Sequence, residues 1–213
     1  MENKKVPGIV IKRLPRYYRY LGELLDAGIT RISSAVLSAK MNVTASQIRQ
    51  DFNYFGGFGQ QGYGYNVEFL YNEIGEILGL NNKNTIIIIG AGNLGRALAC
   101  HGGFVKRGFH LIGIFDNNDA VIGTQINGIK VHSIGSLPKF LKENKTDIAV
   151  LAVPKAAVQS VADVAAQNGV KGFLNFSYGE LKLPEGAEVE NVHISDPLMT
   201  LIYKTKKNGS AER

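Results

Sequence analysis

The residues with the clearest chemical meaning form a glycine-rich hexapeptide, Gly90-Ala91-Gly92-Asn93-Leu94-Gly95, directly after the β-branched run 86–89. Glycines at this spacing between a strand and a helix allow a tight turn, a close approach of the backbone to a pyrophosphate, and close helix–strand packing. The helix N-terminus adds N–H groups and a partial positive charge for the phosphates. The pattern predicts a dinucleotide-binding site.

A carboxylate completes this pattern. Asp116 ends the next predicted strand, 111–116, about 20 residues after Gly95. Its oxygens can accept hydrogen bonds from the adenosine ribose hydroxyls and would repel a 2′-phosphate. The sequence therefore predicts NADH or NAD+ as the cofactor rather than a phosphorylated analogue. A Rossmann-like turn that binds no phosphate is the alternative.

A second group of residues has the side-chain types that contact DNA. The segment 36–52 has the spacing of a helix, a short turn and a second helix, and Thr44 with Gln47 predicts a capping box where that helix begins. Ile48 and Phe52 are predicted to face inward. The side chains left to reach base edges and phosphates in a major groove are Ser46, Gln47, Arg49, Gln50 and Asn53.

The ten residues that follow, 56–65, contain five glycines and three aromatic residues. This composition favours a tight hairpin, placed like the wing of a winged helix. We predict further DNA contacts from Tyr54, Gly59 and Tyr63, and contacts to the DNA backbone from Arg13 and Arg16 near the start of the chain. A helical hairpin that serves only for packing is the alternative.

Charge is concentrated where the DNA contacts are predicted. The chain has 213 residues and a net charge of +6, and residues 1–66 hold nine Lys and Arg against four Asp and Glu. A local positive field attracts a polyanion such as DNA, although a solvated basic surface without a partner has the same composition. No apolar run approaches the roughly 20 residues of a membrane span, and no signal-peptide pattern is present. With one cysteine, Cys100, the sequence predicts a cytoplasmic protein without disulfides or a metal site.

The spacing of apolar residues changes near residue 80, and with it the kind of element that is predicted to position these residues. Helical patterns over 14–25, 33–41, 45–55 and 67–78 predict a winged helix-turn-helix domain over residues 1–80. After Thr85 strands and helices alternate, which predicts a Rossmann domain with an open parallel sheet over residues 85–195. The predicted fold class is α/β. Its helices are expected over 94–106, 136–143 and 155–168, and its later strands over 129–132, 148–153, 172–176 and 189–194.

These features together resemble the Rex family of redox-sensing transcriptional repressors, from about Pro7 to Tyr203. The residues that carry the resemblance are Leu14-Pro15-Arg16-Tyr17, Ser46-Gln47-Ile48-Arg49-Gln50-Asp51, Tyr54-Phe55-Gly56, Gly59 to Tyr65, Gly90 to Gly95, Val153-Pro154-Lys155-Ala156-Ala157 and Gly172-Phe173-Leu174-Asn175-Phe176.

The resemblance implies a homodimer that represses transcription from a palindromic operator and is released from it by NADH. It also implies that a C-terminal helix, about 196–204, is exchanged with the partner, so that residues 196–213 form a dimerisation helix and a tail. The polar composition of residues 204–213 predicts that this tail is frayed. Around the cofactor it adds Val153, Pro154, Asn175 and His101 to the glycine loop and Asp116.

Two positions depart from the family pattern. The family usually carries a tyrosine where this chain has His101, and an aspartate where it has His193. One hypothesis is that the two histidines form a pH-sensitive pair, because imidazoles change charge near neutral pH. The alternative is that this chain senses NADH less sharply or through another contact.

Two other functions compete with the sensor. A small NAD-dependent oxidoreductase would need a substrate domain and an acid/base group, and the residues after Thr85 leave little room for the domain. Tyr178 and Lys182 have the spacing of a catalytic pair, but Gly179 and Pro184 predict a loop there rather than a helix. A thiol switch at Cys100 is the second alternative, although a buried and inert cysteine is expected within the helix 94–106. We therefore predict that the chain is not an enzyme.

Overall fold

The computed structural model describes residues 6–55 and 63–209, with side chains through residue 206. The chain divides into two compact units, residues 1–82 and residues 83–213. Among the described residues, no helix has the length and apolar character needed to cross a membrane.

The first unit is mainly helical. Its elements are α1 (Gly8–Asp26), β1 (Arg31–Ile32), α2 (Ser34–Met41), α3 (Ala45–Asn53), β2 (Tyr65–Asn66) and α4 (Val67–Ile77). Side-chain caps fix where three of the helices begin, because Ser33, Thr44 and Asn66 each accept a hydrogen bond from the N–H three residues later. The four helices predicted from periodicity are confirmed, although α1 begins at Gly8 rather than at Leu14 and the other ends differ by at most two residues.

The core of the first unit comes from one face of each long helix. Leu14, Tyr17 and Leu21 of α1 are fully buried, and they belong to the same cluster as Ile48 and Phe52 of α3. The Tyr17 ring meets the Phe52 ring edge-on at a centroid distance of 5.1 Å. Burial of each large apolar side chain stabilises the fold by about 1.5–3 kcal/mol, so α1 and α3 hold each other in place.

The glycine-rich segment is described only at its C-terminal end. Residues 56–62, which include Gly59, lie outside the described residues. Tyr65 and Asn66 pair antiparallel with Ile32 and Arg31, which precede α2. Gly64 has a φ of +71°, and a Cβ there would lie 2.9 Å from the Ile32 carbonyl oxygen, so only glycine fits this approach.

The second unit is built on a seven-stranded sheet. Its strands are β3 (Asn84–Ile89), β4 (Phe109–Asp116), β5 (Gln125–Ile126), β6 (Ile129–Ser133), β7 (Ile148–Leu151), β8 (Gly172–Asn175) and β9 (Glu188–Asn191), in the order β5-β6-β4-β3-β7-β8-β9. All neighbours pair in parallel except β5 with β6 at one edge. The predicted α/β fold with an open parallel sheet is confirmed, and β5 is an edge strand that the sequence pattern did not indicate.

The described residues of this unit form four α-helices: α5 (Asn93–Ala99), α6 (Leu137–Glu143), α7 (Lys155–Gln167) and α8 (Ser195–Gly209). The prediction of a helix over 94–106 is wrong in its second half. The α-helix ends at Ala99, and only a short 3-10 turn follows at Val105–Arg107. Gly102 and Gly103 explain the break, because glycine costs about 1 kcal/mol in a helix interior. The frayed tail predicted from Lys204 is wrong as far as Gly209, where α8 ends, and the rest of that tail lies outside the described residues.

Candidate functional site

The candidate cofactor site lies at the point where the strand order of the sheet reverses. The neighbouring strands β3 and β7 end at Ile89 and Leu151, and ligands of open α/β sheets bind beyond the carboxyl ends of such strands. A cavity of about 900 Å³ opens there. The predicted residues that line it are Gly90, Gly92, Asn93, Leu94, Asp116, Val153 and Pro154.

The three glycines of the loop have the geometry that their predicted roles require. Gly90 has a φ of +106°, and a Cβ there would lie 2.4 Å from the Ala152 carbonyl oxygen. A Cβ on Gly95 would lie 1.8 Å from the Gly90 carbonyl oxygen, so α5 can start this close to β3 only with glycine. Gly92 has no atom within 4 Å of its Cβ position, which leaves its backbone open toward a ligand.

Asp116 connects the end of β4 to the glycine loop. Its Oδ2 accepts a hydrogen bond from the Ala91 N–H at 2.5 Å, and its Oδ1 accepts one from the Asn118 N–H at 2.8 Å. A carboxylate has about four acceptor sites, so two remain for ribose hydroxyls. The same bond to Ala91 holds the loop in the conformation that lines the cavity.

Apolar side chains line the cavity beyond Asp116. They come from the segment around α6 and from one face of α7, and they are Ile134, Leu137, Pro138, Ala157, Val161 and Val164. Such a lining suits a flat aromatic group such as adenine. The sequence prediction missed these residues. The three- and four-residue spacing of Ala157, Val161 and Val164 is the one signal that could have indicated a shared face.

Four predicted cofactor residues do not line the cavity. Ala91 and Gly95 belong to the glycine loop but are buried, and His101 is exposed with its ring edge-on to Phe104. Asn175 is fully buried, and its side chain binds within the protein. Its Nδ2 donates to the Gly179 carbonyl and to Asn191 Oδ1, and its Oδ1 accepts from the Ser177 N–H.

The remaining residues singled out in this unit lie apart from the cavity. His193 stacks on the ring of Tyr178 at 5.5 Å. Tyr178 and Lys182 lie in the connection between β8 and β9, so the loop predicted there is confirmed. Cys100 is exposed at the end of α5, and the expectation of a buried cysteine is wrong because the helix stops beside it. No group of three potential metal ligands occurs in the described part of the chain.

The candidate DNA-binding surface lies on α3. Ile48 and Phe52 are buried as predicted, and the predicted contact residues Ser46, Arg49, Gln50 and Asn53 are exposed. Gln47 and Tyr54 are half-buried. Elsewhere in the unit, Arg16 is exposed on α1 and Tyr63 is 73 % exposed beside β2.

A buried carboxylate on α3 was not predicted as a functional residue. Asp51 is 0 % exposed and accepts four hydrogen bonds. Arg13 donates two of them, from Nε at 2.7 Å and from a terminal nitrogen at 2.6 Å. The others come from the Tyr17 hydroxyl at 2.8 Å and from Gln47 Nε2 at 2.9 Å. This arrangement corrects two predictions: Arg13 directs its guanidinium to Asp51 rather than outward to a phosphate, and Gln47 does not close the capping box.

Burial and hydrogen bonds within this cluster shift the pKa values of Asp51, Arg13 and Tyr17. Burial alone would raise the pKa of Asp51, but the hydrogen bonds from Arg13, Tyr17 and Gln47 outweigh it, and the pKa lies below its ordinary value. The hydrogen bond to Asp51 raises the pKa of Arg13. Burial, and then the same carboxylate, raise the pKa of Tyr17. Asp51 is therefore ionised, and Arg13 and Tyr17 are protonated, near neutral pH.

Both units of the chain are similar to known proteins. A family described as "Putative DNA-binding protein N-terminus" matches residues 5–53, and one described as "CoA binding domain" matches residues 81–179. The chain is 54 % identical over 200 residues to the redox-sensing transcriptional repressor Rex of Thermoanaerobacter pseudethanolicus, covering 94 % of this chain and 89 % of the relative. It is 50 % identical to the Rex protein of Clostridioides difficile, covering 96 % and 98 %.

Two similar solved structures carry ligands. The crystal structure of RSP in complex with beta-NAD+ and operator DNA matches with a TM-score of 0.90 and 50 % identity, over 97 % of this chain and 95 % of that one. The crystal structure of RSP in complex with beta-NADH matches with a TM-score of 0.90 and 47 % identity, over 98 % of both chains. A further structure of RSP is described as a Rex-family repressor.

Proposed function

Because the chain belongs to the Rex family of redox-sensing transcriptional repressors, we propose that it represses transcription from a palindromic operator and leaves that operator when NADH binds. The observation that carries this proposal is the near-complete match to RSP. One structure of RSP holds NAD+ together with operator DNA, and another holds NADH. The cytoplasm is the proposed location, since chromosomal DNA lies there.

The cofactor is proposed to bind in the cavity at the end of β3 and β7. The nicotinamide ring supplies the redox chemistry that is sensed. Gly90, Gly92 and the start of α5 would receive the pyrophosphate, and Asp116 would accept bonds from the ribose hydroxyls. Asn93, Leu94, Val153 and Pro154 are the other predicted cofactor residues that line the cavity. Ala91, Gly95 and Asn175 would support these walls from behind.

DNA is proposed to bind the exposed face of α3. Ser46, Arg49, Gln50 and Asn53 project from it, and the N-terminal residues of a recognition helix contact base edges in this class of motif. Arg16 and Tyr63 offer further exposed contacts, and Gly59 and Tyr54 stay predictions.

A sensor rather than an enzyme is the function that the cavity supports. Asp116 is the one titratable side chain in the described lining of the cavity, and it already bonds Ala91 and Asn118. Hydride-transfer enzymes need a positioned acid or base at the reacting end. The relatives of this chain are named repressors, which agrees with a non-enzymatic role.

The decisive experiment measures fluorescence anisotropy of a labelled duplex that carries the RSP operator. We expect the protein to bind this duplex more tightly than a scrambled one, NADH to release it, and NAD+ to leave it bound. Linkage requires that DNA weakens NADH binding by the same factor as NADH weakens DNA binding. Operator binding that NADH does not change would refute the sensor function but not DNA binding.

A homodimer with an exchanged C-terminal helix is proposed from the surface of α8. Every described side chain from Asp196 to Lys206 is exposed, and the large apolar ones, Leu198, Met199, Leu201, Ile202 and Tyr203, are each 55–67 % exposed. An apolar helix face of this size marks an interaction surface. A second cavity of about 360 Å³ on the same unit is lined mainly by apolar side chains of β3, β4, β7, β8 and β9, together with Glu188 and Glu190. It is a suitable receptor for the partner's helix.

Negative charges introduced on the apolar face of α8 are expected to separate the dimer into monomers. Leu198→Glu with Ile202→Glu puts two carboxylates four residues apart on one face of the helix. We expect monomers in sedimentation experiments and a loss of operator affinity of at least about 100-fold, since the two half-sites of a palindrome require a dimer. Thr200→Glu adds a charge on the other side of α8 and is the control. Dimers that persist in the double variant would exclude α8 from the interface.

The hypothesis of a pH-sensitive pair, His101 and His193, predicts that the response to NADH depends on pH. If His101 and His193 titrate together in the sensor, the NADH concentration that releases the operator differs between pH 6 and pH 8 in the natural chain and not in His101→Tyr. Equal responses at both pH values in both proteins would exclude the titrating pair and leave the alternative of another contact.

A further inference from the structure

We propose that Asp51 positions the Gln47 side chain for base reading, so that a carboxylate without any contact to DNA contributes to operator specificity. The inference rests on the proposed DNA-binding function of α3. It adds a positioning residue that reaches the DNA only through another side chain.

Asp51 has no remaining capacity to bind DNA itself. It is 0 % exposed, and each of its oxygens already accepts two hydrogen bonds. Oδ2 accepts from Arg13 Nε and the Tyr17 hydroxyl, and Oδ1 accepts from Arg13 and Gln47. These four bonds fill the roughly four acceptor sites of a carboxylate. Three of them come from α1, so α1 fixes where the carboxylate lies.

Gln47 is the group through which Asp51 can act. It is the third residue of α3, in the part of a recognition helix that contacts base edges, and Asp51 lies one turn further on. An ionised carboxylate only accepts, so the Gln47 amide must turn its nitrogen toward Asp51, as the 2.9 Å Nε2–Oδ1 distance shows. The side chain of Gln50 on the same helix is exposed, and its amide has no hydrogen-bond partner among the described residues.

The restraint decides what Gln47 presents to a base. One N–H is bound to Asp51, which leaves the second N–H and the carbonyl oxygen. A donor next to an acceptor is the pair that an amide uses with the N7 and N6 atoms of adenine in the major groove. An amide that is already oriented loses less side-chain freedom when it binds. The expected consequence is a tighter and more selective contact than a mobile glutamine makes.

A double-mutant cycle separates this role from a purely structural one. The proteins are the natural chain, Gln47→Ala, Asp51→Asn and the double variant, each titrated against the RSP operator duplex and a scrambled duplex. We expect each single change to weaken operator binding about tenfold, the lower end for one specific base contact, and to leave scrambled binding within about twofold. The double variant should lose about tenfold as well, because both changes remove the same contact.

Two results of this cycle would contradict the proposal. If the two losses multiply to about a hundredfold, or if Asp51→Asn weakens both duplexes in parallel, Asp51 acts on stability alone and the proposal is wrong. Asp163→Asn is the matched control, because Gln159 Nε2 donates to Asp163 Oδ1 at 2.7 Å with the same four-residue spacing on α7. It should leave both affinities unchanged.

A second measurement covers the case in which Asp51→Asn does not fold. Heteronuclear NOE values of the glutamine side-chain amides in the natural chain should show a rigid Gln47 and a mobile Gln50. Equal mobility of the two would overturn the proposal. A natural chain that binds both duplexes equally would instead refute the proposed function, and the NOE values would still report whether Asp51 restrains Gln47.

Discussion

Gly95→Ala is expected to weaken NADH binding about 100-fold while leaving operator binding intact. The new Cβ would lie 1.8 Å from the carbonyl oxygen of Gly90, and neither atom belongs to a flexible side chain. The start of α5 must therefore move away from β3 and take the N–H groups that receive the phosphates with it. A displacement that costs about 3 kcal/mol of binding free energy lowers the affinity for NADH about 100-fold.

Two measurements on the same sample check this result. Isothermal titration calorimetry gives the NADH affinity, and operator anisotropy shows that the variant is folded and binds DNA without responding to NADH. Gly102→Ala is the matched control, because nothing lies within 4 Å of its Cβ position and it does not line the cavity. An NADH affinity for Gly95→Ala equal to that of the natural chain would show that the loop does not hold the cofactor.

The glycine loop and Asp116 could be predicted because their geometry is local. A tight turn after a buried strand and a carboxylate at the end of the next strand fix the pyrophosphate and ribose ends of a site wherever the rest of the chain goes. The apolar wall was not predictable in the same way. Leu137 and Val161 become neighbours of one cavity only when the sheet sets α6 and α7 side by side.

Asn175 and His101 are two residues that the resemblance assigns to the cofactor and that do not line the cavity. Both were assigned to the cofactor, yet the described hydrogen bonds of the Asn175 side chain go to Gly179, Ser177 and Asn191. Ser177 in turn donates its hydroxyl to the Val153 carbonyl, so Asn175 supports a cavity wall from behind. His101 lies beyond the end of α5 and outside the lining of the cavity. A helical pattern in the sequence does not reveal the cost of the two glycines that follow.

The DNA-binding unit shows the same division between local and distant information. Thr44 predicted the start of α3, since a cap acts within three residues. Asp51 was missed because a carboxylate in a polar helix is usually solvated. Its partner Arg13 lies 38 residues away. One signal was available: Asp51 is three residues after Ile48 and beside Phe52, and therefore on the inward face of α3.

Asp51→Ala is expected to lower the free energy of unfolding of the first unit by about 3–5 kcal/mol, the loss found when one partner of a buried ion pair is removed. The alanine leaves the Arg13 charge, whose side chain is only 20 % exposed, without its carboxylate, and it leaves the buried Tyr17 hydroxyl without its acceptor. Urea unfolding followed by hydrogen exchange of the α1 and α3 amides measures the loss within this unit. Asp26→Ala, which removes an exposed carboxylate from α1, should change stability by less than about 0.5 kcal/mol.

The pH dependence of the same measurement identifies the cause. The folded-state pKa of Asp51 lies below its ordinary value of 3.8, so the unfolded chain binds the proton more tightly than the folded one. The stabilisation is therefore complete above the ordinary pKa and is lost as the pH falls from there through the lowered folded pKa. The stability difference between the natural chain and Asp51→Ala should shrink over that range. A difference that stays constant down to pH 2 would mean that lost packing, rather than the ionised carboxylate, destabilises the variant.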